Sequence, residues 1–366
     1  MKIQGRHYRS IWWDSEGVGV RVINQRLLPF SFETPLLQTV AQVETAIRDM
    51  TVRGAPLIGV AAAFGLALAL RADVADAALE AAALRLLATR PTAVNLRHAI
   101  ERALQLLRPT PAALRPVTAL DFAVQLADED VALCQAIGQQ GLTLIEAAWA
   151  ARRHPEVVNI LTHCNAGWLA TVDWGTALAP IYRAHDQGIP VHVWVDETRP
   201  RNQGALLTAL ELGWHGVPYT VVSDNAGGHL MQRGAVDLCL VGADRVSARG
   251  DTANKIGTYL KALAAHDNGV GFHAALPTPT LDWRIADGLA DIPIEERAAD
   301  EVLQVQGPNG AGVLHSVRVA APGSAAANPA FDVTPARLVT SFITERGIFG
   351  PQDLPRLQGL LEQARA

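Results

Sequence analysis

A cysteine, an aspartate and a lysine offer the most chemistry in this sequence. Cys164 ends the apolar run that starts at Val157, and Asp244 follows the run Leu238–Val241. Asn254-Lys255 precede Ile256, Tyr259 and Leu260, spaced as one face of a helix, so the lysine is expected near the positive end of that helix. A thiolate and a protonated carboxylic acid facing one another form a base–acid pair able to move a proton between carbons. A lysine at a helix start adds an anion site suited to a phosphorylated small molecule. The ordinary alternatives are plain: free cysteines are commonly buried fillers, and aspartates commonly cap helices and start turns. Cys134, mid-helix, and Cys239, mid-strand, fit the filler reading.

The elements that must position these residues change character along the chain. The first forty residues carry strand-like pieces, Ile11–Trp13 and Val18–Ile23. Amphipathic and alanine-rich helices are expected at Thr39–Met50, Val74–Thr89 and Ala93–Leu107, with a charge-free, buried helix from Pro56 to Leu70. At about fifteen residues that segment falls short of the roughly twenty needed to cross a bilayer. A long helix from Thr118 to Ala151 leads into a region of alternating strands and helices. Strands are expected at Val157–Thr162, Val191–Val195, Tyr219–Val222, Asp237–Val241 and Gly271–Leu276. Helices are expected between them, including one from Asn254 to His266, and a last one from Thr334 to Glu345. Alternation of this kind builds a parallel sheet with right-handed crossovers. The expected fold is therefore α/β: a smaller, mainly helical N-terminal domain with a few short strands over residues 1–127, and a Rossmann-like catalytic domain over 128–366.

Ligands of such sheets bind beyond the carboxyl ends of the strands. Those ends read Cys164, Asp196-Glu197, Ser223-Asp224 and Asp244. His163 and Cys164 face opposite ways by strand alternation, so His163 is a poor direct base for the thiol. Backbone N–H groups after Asn165-Ala166-Gly167 are expected to lower the thiol pKa, and burial to raise that of Asp244. Arg53, Arg97, Arg199, Arg201 and Lys255 are the phosphate candidates. Arg53 is distinguished by Gly54 and the start of the buried helix, where backbone N–H groups lack partners. Gln203 suits a sugar hydroxyl or a cap of its own helix.

The bulk numbers exclude several classes. The net charge of -5 lacks the basic field of a nucleic-acid or acidic-membrane binder. Three scattered cysteines make neither a disulfide framework nor a four-ligand zinc site, and a reducing cytoplasm is expected. No G-x-G-x-x-G follows the first strand of the sheet, which argues against a dinucleotide cofactor.

Seven stretches in order resemble the methylthioribose-1-phosphate isomerase family: RGAPLIGVAAAFG (Arg53–Gly65), THCNAGWLAT (Thr162–Thr171), DETRPRNQGA (Asp196–Ala205), VGADRV (Val241–Val246), DTANKIGTY (Asp251–Tyr259), IPIEER (Ile292–Arg297) and NPAFDVTPARL (Asn328–Leu338). The wider family includes ribose-1,5-bisphosphate isomerases and regulatory subunits of a translation-initiation nucleotide-exchange factor. The resemblance implies an aldose–ketose isomerase of methionine salvage, acting as a homodimer on a sugar phosphate without metal or cofactor. It carries over Cys164 and Asp244 as the catalytic pair, and Arg53, Gly54, Ala55, Arg97, Gln203, Asn254 and Lys255 as substrate contacts. The bisphosphate isomerase would need basic groups at the far end of its substrate. A methylthio group would want apolar walls, for which Trp168 and Trp174 are the sequence candidates. The exchange-factor subunit would need no Cys164–Asp244 pair. Two places depart from the family pattern: Arg249 stands where asparagine is expected, and Pro277–Thr280 reads PTPT where a serine is usual.

Overall fold

Apolar runs of four to six residues form the central strands of a seven-stranded sheet, which is covered there on both faces. The computed structural model describes residues 1–3, 5–90, 93–151 and 156–363. Three short strands, β1 (Ile11–Asp14), β2 (Gly19–Val22) and β3 (Leu36–Leu37), form a small antiparallel sheet. Five helices follow: α1 (Val40–Arg48), α2 (Ala55–Ala72), α3 (Asp76–Leu87), α4 (Val94–Leu107) and α5 (Arg115–Ala151). Helix α2 is apolar all round because α1, α3, α4 and α5 pack about it. It is long and apolar enough to cross a membrane, but 78% of it is buried inside the protein.

Then come β4 (Val158–Thr162), α6 (Ala179–Asp186), β5 (Val191–Asp196), α7 (Ala209–His215), β6 (Tyr219–Val222), α8 (Ala226–Gln232) and β7 (Leu238–Val241). Alternate residues of the central strands feed two cores. Ile160, Leu238 and Leu240 join Ile137 and Ile181 on one face. Leu161, Cys239 and Val241 join Ala262 and Phe342 on the other. A period of two with both phases apolar is the mark of a parallel strand buried on both sides. The 37-residue α5 passes from the helical core, through Ala123 and Ala127, to the sheet core, at Ile137 and Ile145.

Further along the chain lie β8 (Arg245–Ser247), β9 (Thr252–Lys255), α9 (Thr258–Asp267), β10 (Gly271–Ala275), β11 (Leu281–Asp282), β12 (Gln304–Pro308), β13 (Leu314–Arg318), β14 (Phe331–Thr334), β15 (Ser341–Thr344), β16 (Gly347–Phe349) and α10 (Leu354–Gln363). The large sheet has the order β16-β15-β10-β7-β4-β5-β6, parallel except for the β15–β16 hairpin. The chain steps outward from β4 through β5 and β6, then returns to lay β7 on the opposite side of β4. That reversal is a topological switch point, and it opens a crevice at the carboxyl ends of β4 and β7.

Two expected helices are corrected. Asn254-Lys255 do not open a helix. They end β9, which pairs antiparallel with β14 and sets Lys255 opposite Phe331. Helix α9 starts only at Thr258. The expected helix Thr334–Glu345 is a single turn, Ala336–Leu338, followed by β15 and the turn into β16. Its β-branched residues at Val339, Thr340, Ile343 and Thr344 favour the pleated, buried surface that β10 offers.

Candidate active site

The crevice at the switch point is a cavity of about 670 Å³, measured out to open solvent. Cys164 and Asp244 both line it, delivered by β4 and β7, together with Arg53, Gly54, Ala55, Gln203, Asn254 and Lys255. Eight of the nine site residues expected from sequence are thus brought together. The ninth, Arg97, is exposed on α4 in a separate surface cleft with Glu101, Asp282 and Arg284. The side chain that takes up this flank is Arg90, which lines the cavity and pairs with Glu295 at 3.0 Å.

The N-terminal helices contribute the floor. Gly54 caps α2 with φ 100°, a conformation open to glycine at little cost. A Cβ there would stand 2.2 Å from the carbonyl oxygen of Ala170, so glycine is also needed for close approach. The first turn of α2 therefore faces the cavity with its N–H end. Arg53, just ahead of it, donates to the side-chain oxygen of Asn165 and, at 2.8 Å, to the Asn165 carbonyl.

Cys164 occupies the left-handed region, φ 67°, which a residue with a Cβ enters only under constraint. The constraints are two hydrogen bonds. Its N–H donates to Oγ1 of Thr198 at 2.9 Å, and its carbonyl accepts from Oγ1 of Thr208 at 2.7 Å. The thiol donates to Oε1 of Gln203 at 3.5 Å. Burial raises the thiol pKa above its reference, with Lys255 and Arg53 pulling the other way. That reverses the expected direction. The chain after Asn165 makes a single tight turn, Trp168–Ala170, in place of a helix entered directly from that loop.

Asp244 behaves as expected. Burial raises its carboxyl pKa, opposed by Lys255, Arg90 and Arg53, and Glu295 raises it further. Lys255 is buried and its pKa is lowered, mainly by burial. Its Nζ lies 4.5 Å from the centre of the Phe331 ring, the strand partner that the β9–β14 register supplies. Asn254 is held by Oγ1 of Thr258 at 3.1 Å.

The other strand-end acids build the frame. Asp196, fully buried, bonds Nδ1 of His163 at 2.8 Å and Nζ of Lys261 at 3.0 Å. Asp224 accepts from the N–H groups of Thr198 and Arg199, each at 2.7 Å, and so holds the loop that carries Gln203. Both ring nitrogens of His163 are taken, by Asp196 and by the carbonyl of Ile256, so it offers the thiol no base although it lines the cavity. His163, Asp196 and Asp224 form the one described cluster with metal-ligand spacing, and the ammonium of Lys261 already supplies a cation to it. Arg199 and Arg201 anchor loops, donating to the Val302 carbonyl at 2.6 Å and to Glu301 at 2.6 Å. Trp168 is a core residue tilted against Trp214, and Trp174 stacks under Arg183; neither lines the cavity. The apolar walls come from elsewhere. Ile58, Ala93, Ala253, Ile292, Pro293, Ile294 and Phe331 surround an adjoining recess of about 520 Å³ that shares Asp244 and Arg90 with the main cavity. Pro277 lines the main cavity, whereas Arg249 lies exposed in the turn between β8 and β9.

Residues 51–351 match the model of the initiation factor 2 subunit family. The chain belongs to that family. Within it, the chain is similar to methylthioribose-1-phosphate isomerases. The isomerase of Methylobacterium nodulans is 62% identical over 348 residues, 95% of each chain. That of Rhodospirillum centenum is 61% identical over 95% of this chain and 92% of its own. Among solved structures, the 5-methylthioribose 1-phosphate isomerase of Pyrococcus horikoshii superposes with a TM-score of 0.82 at 40% identity, covering 98% of this chain and 96% of that one. A protein from A. fulgidus described as the translation initiation factor eIF-2B, subunit delta, superposes at 0.77 with 39% identity, covering 95% and 97%.

Proposed function

We propose that the protein is an aldose–ketose isomerase that converts 5-methylthioribose 1-phosphate to 5-methylthioribulose 1-phosphate in methionine salvage. The observation that carries this reading is the convergence of Cys164, Asp244, Arg53 and Lys255 on one cavity, beside a recess that several apolar side chains help to wall. The high identity to isomerases of that name supports it.

In this reading the phosphate sits on Arg53, Lys255 and the N-terminus of α2, where N–H groups and positive charge converge. Asp244, whose protonated form is favoured by desolvation in the cavity, gives its proton to the ring oxygen as the bond from that oxygen to C1 breaks. Cys164, as thiolate, takes the proton from C2 to leave an enol phosphate, and returns it to C1. The Asp244 carboxylate then accepts the proton of the C2 hydroxyl as the ketone forms, so both groups end as they began. Lys255 and Arg53 favour the thiolate and also hold the substrate. The buried walls limit exchange of the moving proton with solvent.

The recess also favours this substrate over ribose 1,5-bisphosphate, whose second phosphate would need free cations there. Arg90 and Arg245, the basic residues of the recess, stand by Glu295 and Asp282 at 3.0 and 3.9 Å. The test is turnover of the two sugar phosphates by purified protein. Preference for the methylthio compound is expected, preference for the bisphosphate would overturn the substrate, and turnover of neither would leave the exchange-factor subunit as the better reading. We further infer a cytoplasmic homodimer divided near residue 127. Three unpaired cysteines and the exposed Leu114, Val117 and Val124 on and beside α5 support it, and light scattering would measure the assembly.

A further inference from the structure

Glu211 is a buried carboxyl that the reaction outlined above does not use. It lies on α7 with 1% of its surface exposed. Four donors converge on it: the backbone N–H groups of Trp168 at 2.8 Å and Leu169 at 3.1 Å, Nδ2 of Asn165 at 2.9 Å and the hydroxyl of Tyr182 at 2.9 Å. No basic side chain among the described residues forms an ion pair with it. The fit is tight, because a Cβ on Gly167 would stand 1.8 Å from Oε2 of Glu211.

Asn165 links this carboxyl to the cavity. Its Nδ2 donates to Glu211 and, at 3.2 Å, to Oγ1 of Thr208, so its amide oxygen must face the other way. There it accepts from Arg53, while the Asn165 carbonyl accepts from the second guanidinium nitrogen at 2.8 Å. A guanidinium held by two oxygens of one residue is fixed in plane and direction. If the acceptor behind Asn165 were removed, the amide could turn over and set its NH2 against the guanidinium, donor against donor. The segment that bears Glu211 also bears Thr208, which holds the Cys164 carbonyl, and Gln203, which accepts from the thiol.

We propose that Glu211 is a positioning residue of the anion site: through Asn165 it fixes the direction in which Arg53 presents its guanidinium to the phosphoryl group of the substrate. This rests on the reading of Arg53 as a phosphate ligand, and the experiment separates the two. Inorganic phosphate serves as competitive inhibitor, and its inhibition constant is measured in wild type, Arg53→Ala, Glu211→Gln and the double variant. Arg53→Ala is expected to weaken phosphate by about tenfold or more; an unchanged constant would sink the phosphate-ligand reading itself. Glu211→Gln is expected to raise KM and the phosphate constant by about tenfold, with kcat within about threefold of wild type. In the Arg53→Ala background the same change should add less than about twofold, because the two act through one contact. Equal losses in both backgrounds, or a fall in kcat at unchanged KM, would overturn the proposal. Should Glu211→Gln fail to fold by circular dichroism, Asn165→Ala cuts the same link, and its outcomes are read in the same way.

Discussion

The Cys164 thiol donates a hydrogen bond to the side-chain oxygen of Gln203, so the cavity stabilises the protonated sulfur. Burial acts in the same direction, and the two nearby cations oppose it. Thiolate is the form that attacks alkylating reagents. Iodoacetamide should therefore label Cys164 slowly at pH 7.5, with a rate still climbing at pH 9. Lys255→Met should slow labelling further, since Lys255 is the larger of the opposing charges. Cys134 and Cys239 are fully buried and should stay unlabelled while the protein is folded. A labelling rate that levels off below pH 8 would contradict this account of the site.

Cys164→Ala and Asp244→Asn should each lower kcat by about a thousandfold or more, the scale on which positioned acids and bases act. Neither group holds the anion site in place, so inhibition by inorganic phosphate should change by less than about threefold. Steady-state kinetics with phosphate as inhibitor measures both. Full turnover in either variant would remove that residue from the chemistry.

Gly54→Ala should damage stability and binding together. It places a Cβ at φ 100° and against the backbone of Ala170, in the turn that follows Cys164. A loss of about 2 kcal/mol in urea unfolding is expected from the backbone strain alone. The phosphate inhibition constant should rise about tenfold as the first turn of α2 is displaced, in line with the weight of a charge-assisted contact. Unchanged phosphate inhibition would show that this helix end does not face the anion.

Asp130 on α5 accepts the N–H of Val172 at 2.7 Å, and burial pushes its pKa from 3.8 up to about 7. Between those values the folded protein keeps a proton that the unfolded chain has released, so stability declines as pH rises through that window. Asp130→Asn can still accept from Val172 and carries no charge. It should match wild type near pH 4 and exceed it at pH 8 by an amount on the order of 4 kcal/mol, measured by urea unfolding at both values.

The central strands were legible because each carries its apolar pattern within a few residues, and so were the acids and the cysteine at their ends. Strand order was not. The adjacency of β4 and β7, which makes partners of Cys164 and Asp244, depends on a crossover past two intervening strands. Local spacing places Lys255 in a helix because its strand partner, Phe331, lies far away in the chain and leaves no local mark. Arg97 comes from the family resemblance, whereas Arg90 follows α3 in a turn and gains its place only from Glu295 across the fold. Asp196 and Asp224 carried the same signal as Asp244 and turned out to hold loops. Residue type and position at a strand end are alike in all three; what differs is which donors the fold brings to them.

At Cys164 the backbone takes a shape in which glycine would rest more easily. Selection for folding alone would drift that position toward glycine and let the turn relax. Selection for the sulfur opposes that drift. In any descendant sequence that retains this turn, the residue at 164 therefore records whether the chemistry is still being paid for.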